Sequence, residues 1–508
     1  MRKLFTLFVF IATLQQSYSQ TVELFTDINT TAGSNPVAFN KALGKLFFVA
    51  NDGTGNGLWV TDGTVANTVK LFNQSVTEMV EYKGKVYFSA NDPTRGEELF
   101  VTDGTPAGTG FFFDFYDGSQ NGFPRPVAVF DDYLYIVASD SLHGQEIWRT
   151  DGTTANTSLF LELVPGANGC SPEEFHVLQN KLLFSAYTND YGRELWYTDG
   201  GINADIVLDM NPGNQGSTIE EFCEMNGKYY FSGQGELYVT DGTTAGTYMV
   251  KDVLPGGGLS RPYSLTLKGN QIIFGATDGT NICLWATDGT EAGTELLKVF
   301  YNGPQKLTYL TNYNNEVYFC GRTDDSGSEP WHTDGTVPGT LMLANTITTQ
   351  GQGAGAFNFT ELGGQLFFRT SNTIYVSDGT LAGTQTLPYP SFATNAQVTL
   401  ADMIEYNGTI YFTADYDNKG REIYKLTLPT AIDDINNSSI GVYPNPASAE
   451  VFVKTSTTLQ LQLLNTQGQL LGNYVCNNGI TTISTATLAN GIYIMKAGNA
   501  ITKLVVNN

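Results

Sequence analysis

The sequence predicts an all-β protein in which one small unit is repeated along most of the chain. Three observations predict it. A phrase first written LWVTDGT at residues 58–64 returns as LFVTDGT from Leu99, IWRTDGT from Ile147, LWYTDG from Leu195, LYVTDGT from Leu237, LWATDGT from Leu284, PWHTDGT from Pro330 and IYVSDGT from Ile374. Its Asp falls at 62, 103, 151, 199, 241, 288, 334 and 378, a spacing of 41 to 48 residues that marks a repeat architecture. Composition agrees: 15% of residues are charged and 55 of 508 are Gly, against about 25% charged in typical soluble proteins, which favours β-structure with many tight turns. Finally, each unit holds a short, almost continuous apolar run, such as LFFVA from Leu46, VYFSA from Val86 and LLFSA from Leu182.

Each unit divides into four segments. In the second, a moderately apolar run at 76–82 leads through a Lys-Gly turn to VYFSA, a polar loop, the Leu99 phrase and a last apolar run from Phe111. Short runs rich in Val, Tyr, Phe and Leu, separated by Gly, Asn and Asp, read as a four-stranded antiparallel meander. The second strands do not alternate, so both of their faces are covered. A meander repeated at this period and packed between copies of itself is a β-propeller.

The ends of the array suggest closure. Residues 21–25 (TVELF) resemble the fourth strands at Thr68 (TVKLF) and Thr294 (TELLKVF), while the last unit supplies only three strands, at 398–405, 409–413 and 422–426. Pairing the N-terminal strand into the last sheet would remove two exposed edges. Second strands starting near 46, 86, 134, 182, 229, 272, 317, 366 and 410 give nine blades, with eight blades and a capping hairpin as the alternative; the usual range is about four to eight.

Residues 1–19 read as a signal peptide: Arg2 and Lys3 precede an apolar run at 4–14, and Ser17-Tyr18-Ser19 offers a cleavage site before Gln20. That run is too short for a membrane span, which needs roughly 20 residues, and no later stretch approaches this length. The propeller then occupies 20–428, a polar linker (PTAIDDINNSSI) 429–440, and a small β-sandwich of six or seven short strands 441–508. Five irregularly placed cysteines argue against a disulfide framework and read as small buried residues. A formal charge of -24 disfavours nucleic acid and suits divalent cations, basic partners or plain solubility.

Two resemblances follow from quoted motifs. Tyr443-Pro444-Asn445-Pro446, Asn465-Thr466-Gln467-Gly468, Leu488-Ala489-Asn490-Gly491-Ile492-Tyr493 and Lys503-Leu504-Val505-Val506 resemble, in order, the type A sorting domain of the type IX secretion system of Bacteroidota. The resemblance implies that the secretion machinery is a partner, that the chain crosses the outer membrane, and that the tail is removed before release or attachment at the surface. The array resembles the ELWxxDGT repeat proteins. Glu98, Glu146, Glu194 and Glu236 supply the leading Glu and residues 244–247 the AGT element, while Gly57, Cys283 and Thr373 depart from the pattern. This resemblance implies the fold and no reaction.

Candidate sites are weighed against structural roles. Trp59, Phe100, Trp148, Trp196, Tyr238, Trp285, Trp331, Tyr375 and Tyr424 occupy one register of the third strand, which suits packing of blade on blade. The recurring Asp-Gly suits a turn. The loops between second and third strands vary, and with them Asp52, Asp92, Asp140, Asp190, Asp324 and Asp415; variable loops on a rigid scaffold are the expected ligand-binding face. Asp415, Asp417 and Glu422 have the oxygen-rich look of a calcium loop without EF-hand spacing, so calcium is possible and no cofactor is required. Only His143, His176 and His332 occur, in non-equivalent segments, and no catalytic motif accompanies them. The expectation is an exported, non-catalytic binding or adhesion scaffold at the cell surface or beyond it, with a glycan or protein ligand. The alternatives are a carbohydrate-active enzyme using two carboxylates and a structural surface-layer component.

Overall fold

The computed structural model describes residues 20–301, 306–347, 353–395, 398–428, 441–455, 458–465, 469–497 and 500–507. The expected signal peptide at 1–19, the linker at 429–440 and the Thr466-Gln467-Gly468 motif lie outside these residues. The protein is all-β and divides into two compact units, Gln20–Leu428 and the tail.

Among the described residues, the first unit contains nine four-stranded antiparallel sheets. In the first, Val37–Ala42, Lys45–Asn51, Asn56–Thr61 and Val69–Phe72 pair in chain order. The next seven repeat this order. The ninth takes Leu400–Tyr406, Thr409–Ala414 and Glu422–Thr427 from the end of the array and Thr21–Thr26 from its beginning. Thr21 faces Thr427 and Leu24 faces Tyr424, so the expected closing strand is formed.

First strands of successive sheets touch along the whole series, and Leu400–Tyr406 of the ninth touches Val37–Ala42 of the first. The Tyr406 hydroxyl donates to the Gly44 carbonyl at 2.6 Å, and Lys41 pairs with Glu405 at 3.0 Å.

Burial explains the apolar second strands. Phe47 and Val49 pack with Leu58 of their own sheet and with Val86 and Phe88 of the next. The opposite side of that next sheet sends Tyr87 and Leu99 against Leu134, Ile136 and Trp148. Each sheet is thus covered on both faces, and full burial of one Phe or Leu contributes about 1.5–3 kcal/mol.

The tail forms two sheets: Gly441–Tyr443, Glu450–Thr455 and Gly479–Ser484 in one, and Leu470–Cys476, Leu459–Leu464, Gly491–Ala497 and Ala500–Val506 in the other. Val451, Val453 and Ile483 of the first meet Leu461, Leu463, Met495 and Leu504 of the second in one core, the arrangement of a sandwich. All five cysteines are free, four buried and Cys223 half-buried.

Candidate functional site

In a meander, the connections between second and third strands lie at the same end as those leading to the next sheet. We call this the loop end and the other the turn end. The Asp of the repeated phrase shapes the turn end. Asp62 accepts the Thr64 N–H at 2.9 Å and the Thr64 hydroxyl at 2.7 Å, and Asp103, Asp151, Asp241, Asp288, Asp334 and Asp378 accept the same pair from their own threonines. These bonds satisfy the turn's backbone. The Thr64 hydroxyl, followed by the Asn67 amide, holds the Asp62 carboxyl below the usual carboxylate range.

The aromatics of the third strand lie between or within the sheets. Trp148 meets Phe115 edge-on at 5.1 Å and Trp331 meets Phe300 in the same way, whereas Tyr375 stacks on Phe368 and Phe100 on Phe88. Trp148, Trp196, Trp331, Phe100 and Tyr424 are buried; Trp59, Tyr238, Trp285 and Tyr375 are half-buried.

The leading Glu has a role that the sequence did not disclose. Glu98 is fully buried, and its carboxylate accepts the N–H groups of Phe115 at 2.8 Å and Gly122 at 2.7 Å. Glu146 accepts from Leu163, Val164 and the Cys170 thiol; Glu194 from Met210, Asn211 and Ser217; Glu236 from Val253 and Ser260; Glu329 from Thr346 and Ile347. In each case one carboxylate ties down the connection to the next sheet. Burial pushes Glu98 up to about 7 against the backbone N–H groups that hold it down, and it likewise raises Glu146, Glu194 and Glu329. Gly57, which departs from the pattern, has no room for a side chain: a Cβ there would lie 2.2 Å from Lys70 Cε. Lys70 reaches instead to Asp52 at 3.0 Å. The signal in the sequence was a Glu opening an otherwise apolar strand.

The loop-end aspartates fall into three groups. Asp52 and Asp92 fold their own loops through the N–H and hydroxyl of Thr54 and Thr94. Asp140 does the same through Leu142 and His143; burial alone would raise it, but the His143 ring and the two N–H groups outweigh burial and hold it low. Asp190 and Asp324 are exposed. Asp415 is half-buried, and its Oδ1 atom is buried with no hydrogen-bond partner.

Of the three residues considered for calcium, Asp415, Asp417 and Glu422, the last two have separate partners. Glu422 opens its strand as the Glu residues of the other sheets do, and its buried carboxylate accepts the Ser34 N–H at 2.6 Å and the Ile28 N–H at 3.3 Å. Asp417 pairs with Lys419 at 3.2 Å. Among the described residues no group of three or more His, Cys, Asp or Glu is placed to hold a metal.

A different feature gathers at the first strands. Each first strand carries a one-residue bulge near its beginning, as between Thr77 and Val80 or Glu173 and His176. At seven of the nine bulges a residue other than Gly takes the left-handed conformation: Ala38 (φ 57°), Glu78 (53°), Glu174 (53°), Glu221 (65°), Ser264 (54°), Tyr309 (61°) and Asn358 (52°). Four neighbouring first strands border a cavity of about 620 Å³. Ala38, Glu78, Val127 and Glu174 line it from the bulges, and Phe39, Met79 and Phe175 give it an apolar wall. Glu173 and Arg125 also reach it; Glu173 pairs with Arg193 at 3.4 Å, and Arg125 donates to the Pro172 carbonyl at 2.9 Å. Sequence reasoning placed recognition at the loop end but missed these residues, because their charges sit inside segments that otherwise read as apolar strand.

Residues 441–507 match the family described as the secretion system C-terminal sorting domain. The tail is a secretion sorting domain. This sorting domain indicates export across the outer membrane by the type IX system and interaction with its machinery. Comparison with curated proteins gives no match. Among solved structures, the chain is similar to the computationally designed Ika8 protein, with 15% identity over 70% of this chain and 96% of that one and a TM-score of 0.39. It is also similar to PorZ of Porphyromonas gingivalis, described as an essential bacterial surface component of the type-IX secretion system, with 12% identity over 93% and 75% and a TM-score of 0.34. At these scores neither likeness carries anything to this chain. Among the described residues, no helix is long and apolar enough to cross a membrane.

Proposed function

We propose that residues 20–428 form a nine-bladed β-propeller of ELWxxDGT-type repeats, exported behind a signal peptide at 1–19, that binds an extracellular or surface ligand without transforming it. The sorting domain at 441–508, beyond the linker at 429–440, delivers the propeller across the outer membrane and is then removed, leaving it attached at the surface or released. The observation that carries the binding role is the cavity of about 620 Å³ at the loop end of the first strands. There, units that agree in packing residues and turns disagree in the side chains they present. A shaped, partly apolar recess with a few polar groups is the usual form of a ligand site. Three of the six loop-end aspartates, Asp52, Asp92 and Asp140, are engaged in folding their own loops, and Asp190 and Asp324 are exposed.

The test is a glycan array probed with the exported protein and with a Thr77→Trp variant that fills the cavity, followed by product analysis of any bound glycan. Binding that is lost in Thr77→Trp, with the glycan recovered intact, is the expected result. Released reducing ends would favour a carbohydrate-active enzyme instead, and binding unaffected by Thr77→Trp would place recognition elsewhere.

A further inference from the structure

The sorting domain carries a sheet face that its own core does not use. In its four-stranded sheet Leu461, Leu463, Tyr493, Met495 and Leu504 are buried in the core. Side chains alternate along a strand, so the residues between these point outward. At one end of this outer face they are apolar on every strand. Leu470 faces Leu464 across one strand pair, Leu464 faces Ile494 across the next, and Ile492 faces Val505 across the last. Leu470 and Ile492 are exposed, and Leu464, Ile494 and Val505 are half-buried. Lys496 and Lys503 stand at the margin of this patch, beside Ile494. Toward the other end Gln460, Gln462 and Asn473 make the same face mostly polar.

Neither solubility nor folding accounts for this patch. The whole chain has a formal charge of -24, yet within residues 441–508 only Glu450, Lys454, Lys496 and Lys503 are charged. None of them lies on Leu470–Cys476, which forms one edge of the sheet and exposes Leu470, Leu471 and Val475. Exposed edges are normally guarded by charge or Pro, and a contiguous apolar patch marks an interaction surface. An apolar centre with a charged margin is the composition of a protein interface. The match of residues 441–507 to a secretion sorting domain supplies the partner, because such a domain is recognised by the secretion machinery. Lys496 and Lys503 fit acidic groups around the apolar part of that partner.

Resting on that match, we propose that the outer face at Leu464, Leu470, Ile492, Ile494 and Val505 is where the sorting domain docks on an apolar, acid-rimmed surface of the type IX machinery. The test follows the full chain in a bacterium that has the type IX system, with a photo-crosslinking phenylalanine analogue in place of Ile492 or of Ile480, an exposed residue on the other sheet. A cross-link from position 492 to a component of the machinery, identified by mass spectrometry, is expected, with none from position 480. Leu470→Thr plus Ile492→Thr plus Ile494→Thr should cut the exported fraction by about tenfold and hold the chain in the periplasm, while Val475→Thr plus Ile480→Thr leaves export at the parental level. If the triple variant loses the protease resistance of the parent tail, the cross-link alone decides. No cross-link from position 492, one only into residues 20–428 or a second copy of the tail, or an equal one from position 480 would overturn the proposal. So would parental export of a folded triple variant. Export that survives removal of residues 441–507 would overturn the sorting role itself.

Discussion

Replacing Glu98 tests the device that fixes each connection between sheets. Its Oε2 atom accepts the Phe115 N–H at 2.8 Å, and its Oε1 atom accepts the N–H groups of Gly122 at 2.7 Å and Tyr116 at 3.4 Å, all at a site closed to solvent. Glu98→Ala strands the Phe115 and Tyr116 donors, leaves Gly122 only the Glu97 carbonyl at 3.1 Å, and opens a void. With about 1–3 kcal/mol for each buried donor left unsatisfied, and compensation by local relaxation, a loss of about 3–5 kcal/mol is expected. Glu98→Gln keeps one acceptor and turns an amide N–H₂ against the other donors, so its cost should be smaller, about 1–3 kcal/mol.

The pH dependence separates charge from shape. Burial raises Glu98 from the ordinary carboxylate value to about 7, so the native protein holds a proton that the unfolded chain releases above about 4.5. The stability contributed by this proton is fully present below the unfolded value and is lost as pH rises through about 7. Glu146, Glu194, Glu329 and Glu422 are raised by burial as well and add to the same slope. Urea denaturation between about pH 5.5 and 8, above the range in which lowered carboxylates such as Asp62 and Asp140 lose their contribution, should show stability falling with pH in the parent and a shallower fall in Glu98→Gln. Parallel pH profiles, or a cost below about 1 kcal/mol for Glu98→Ala, would refute this account of the carboxylate.

Other outcomes follow from the same structure. Trp148→Ala should destabilise by about 3–5 kcal/mol in denaturant titration, because a buried ring in edge contact with Phe115 at 5.1 Å is removed from between two sheets. Phe25→Ala, which takes a buried ring off Tyr411 at 5.1 Å in the closing sheet, should cost about 3 kcal/mol and raise protease cleavage near residue 20. Chelator should leave the melting temperature of the parent unchanged, since Glu422 is turned inward to Ser34 and Ile28; a drop reversed by calcium would contradict that arrangement. Removing residues 441–507 should stop the chain before it crosses the outer membrane, as read by fractionation of cells and medium.

Much of the architecture was legible because it is local and repeated. The Asp-Gly turns, the apolar second strands and the aromatic of the third strand are written in every unit, and each follows from bonds or burial within or between adjacent sheets. The orphan strand at 21–25 was readable for the same reason, since it resembles the fourth strands it replaces. The direction of the candidate calcium-loop residues was not legible, because proximity in sequence hides it: Asp415 and Asp417 belong to the loop, whereas Glu422 begins a strand and is buried.

By itself, then, the sequence determined the strand content, the repeat period, the closing strand and the export tail, since turn chemistry, alternation and short motifs act over a few residues. Only the tertiary structure decided which carboxylates are free. Glu98 leads a repeated phrase and Glu78 does not, but the partners of neither are written in the chain: one is fixed by backbone donors arriving from 17 and 24 residues away, and the other is carried on a bulge into an open cavity. The physical reason is that a bulge and a buried acceptor arise from the pairing and packing of several segments, and no single segment of sequence encodes them.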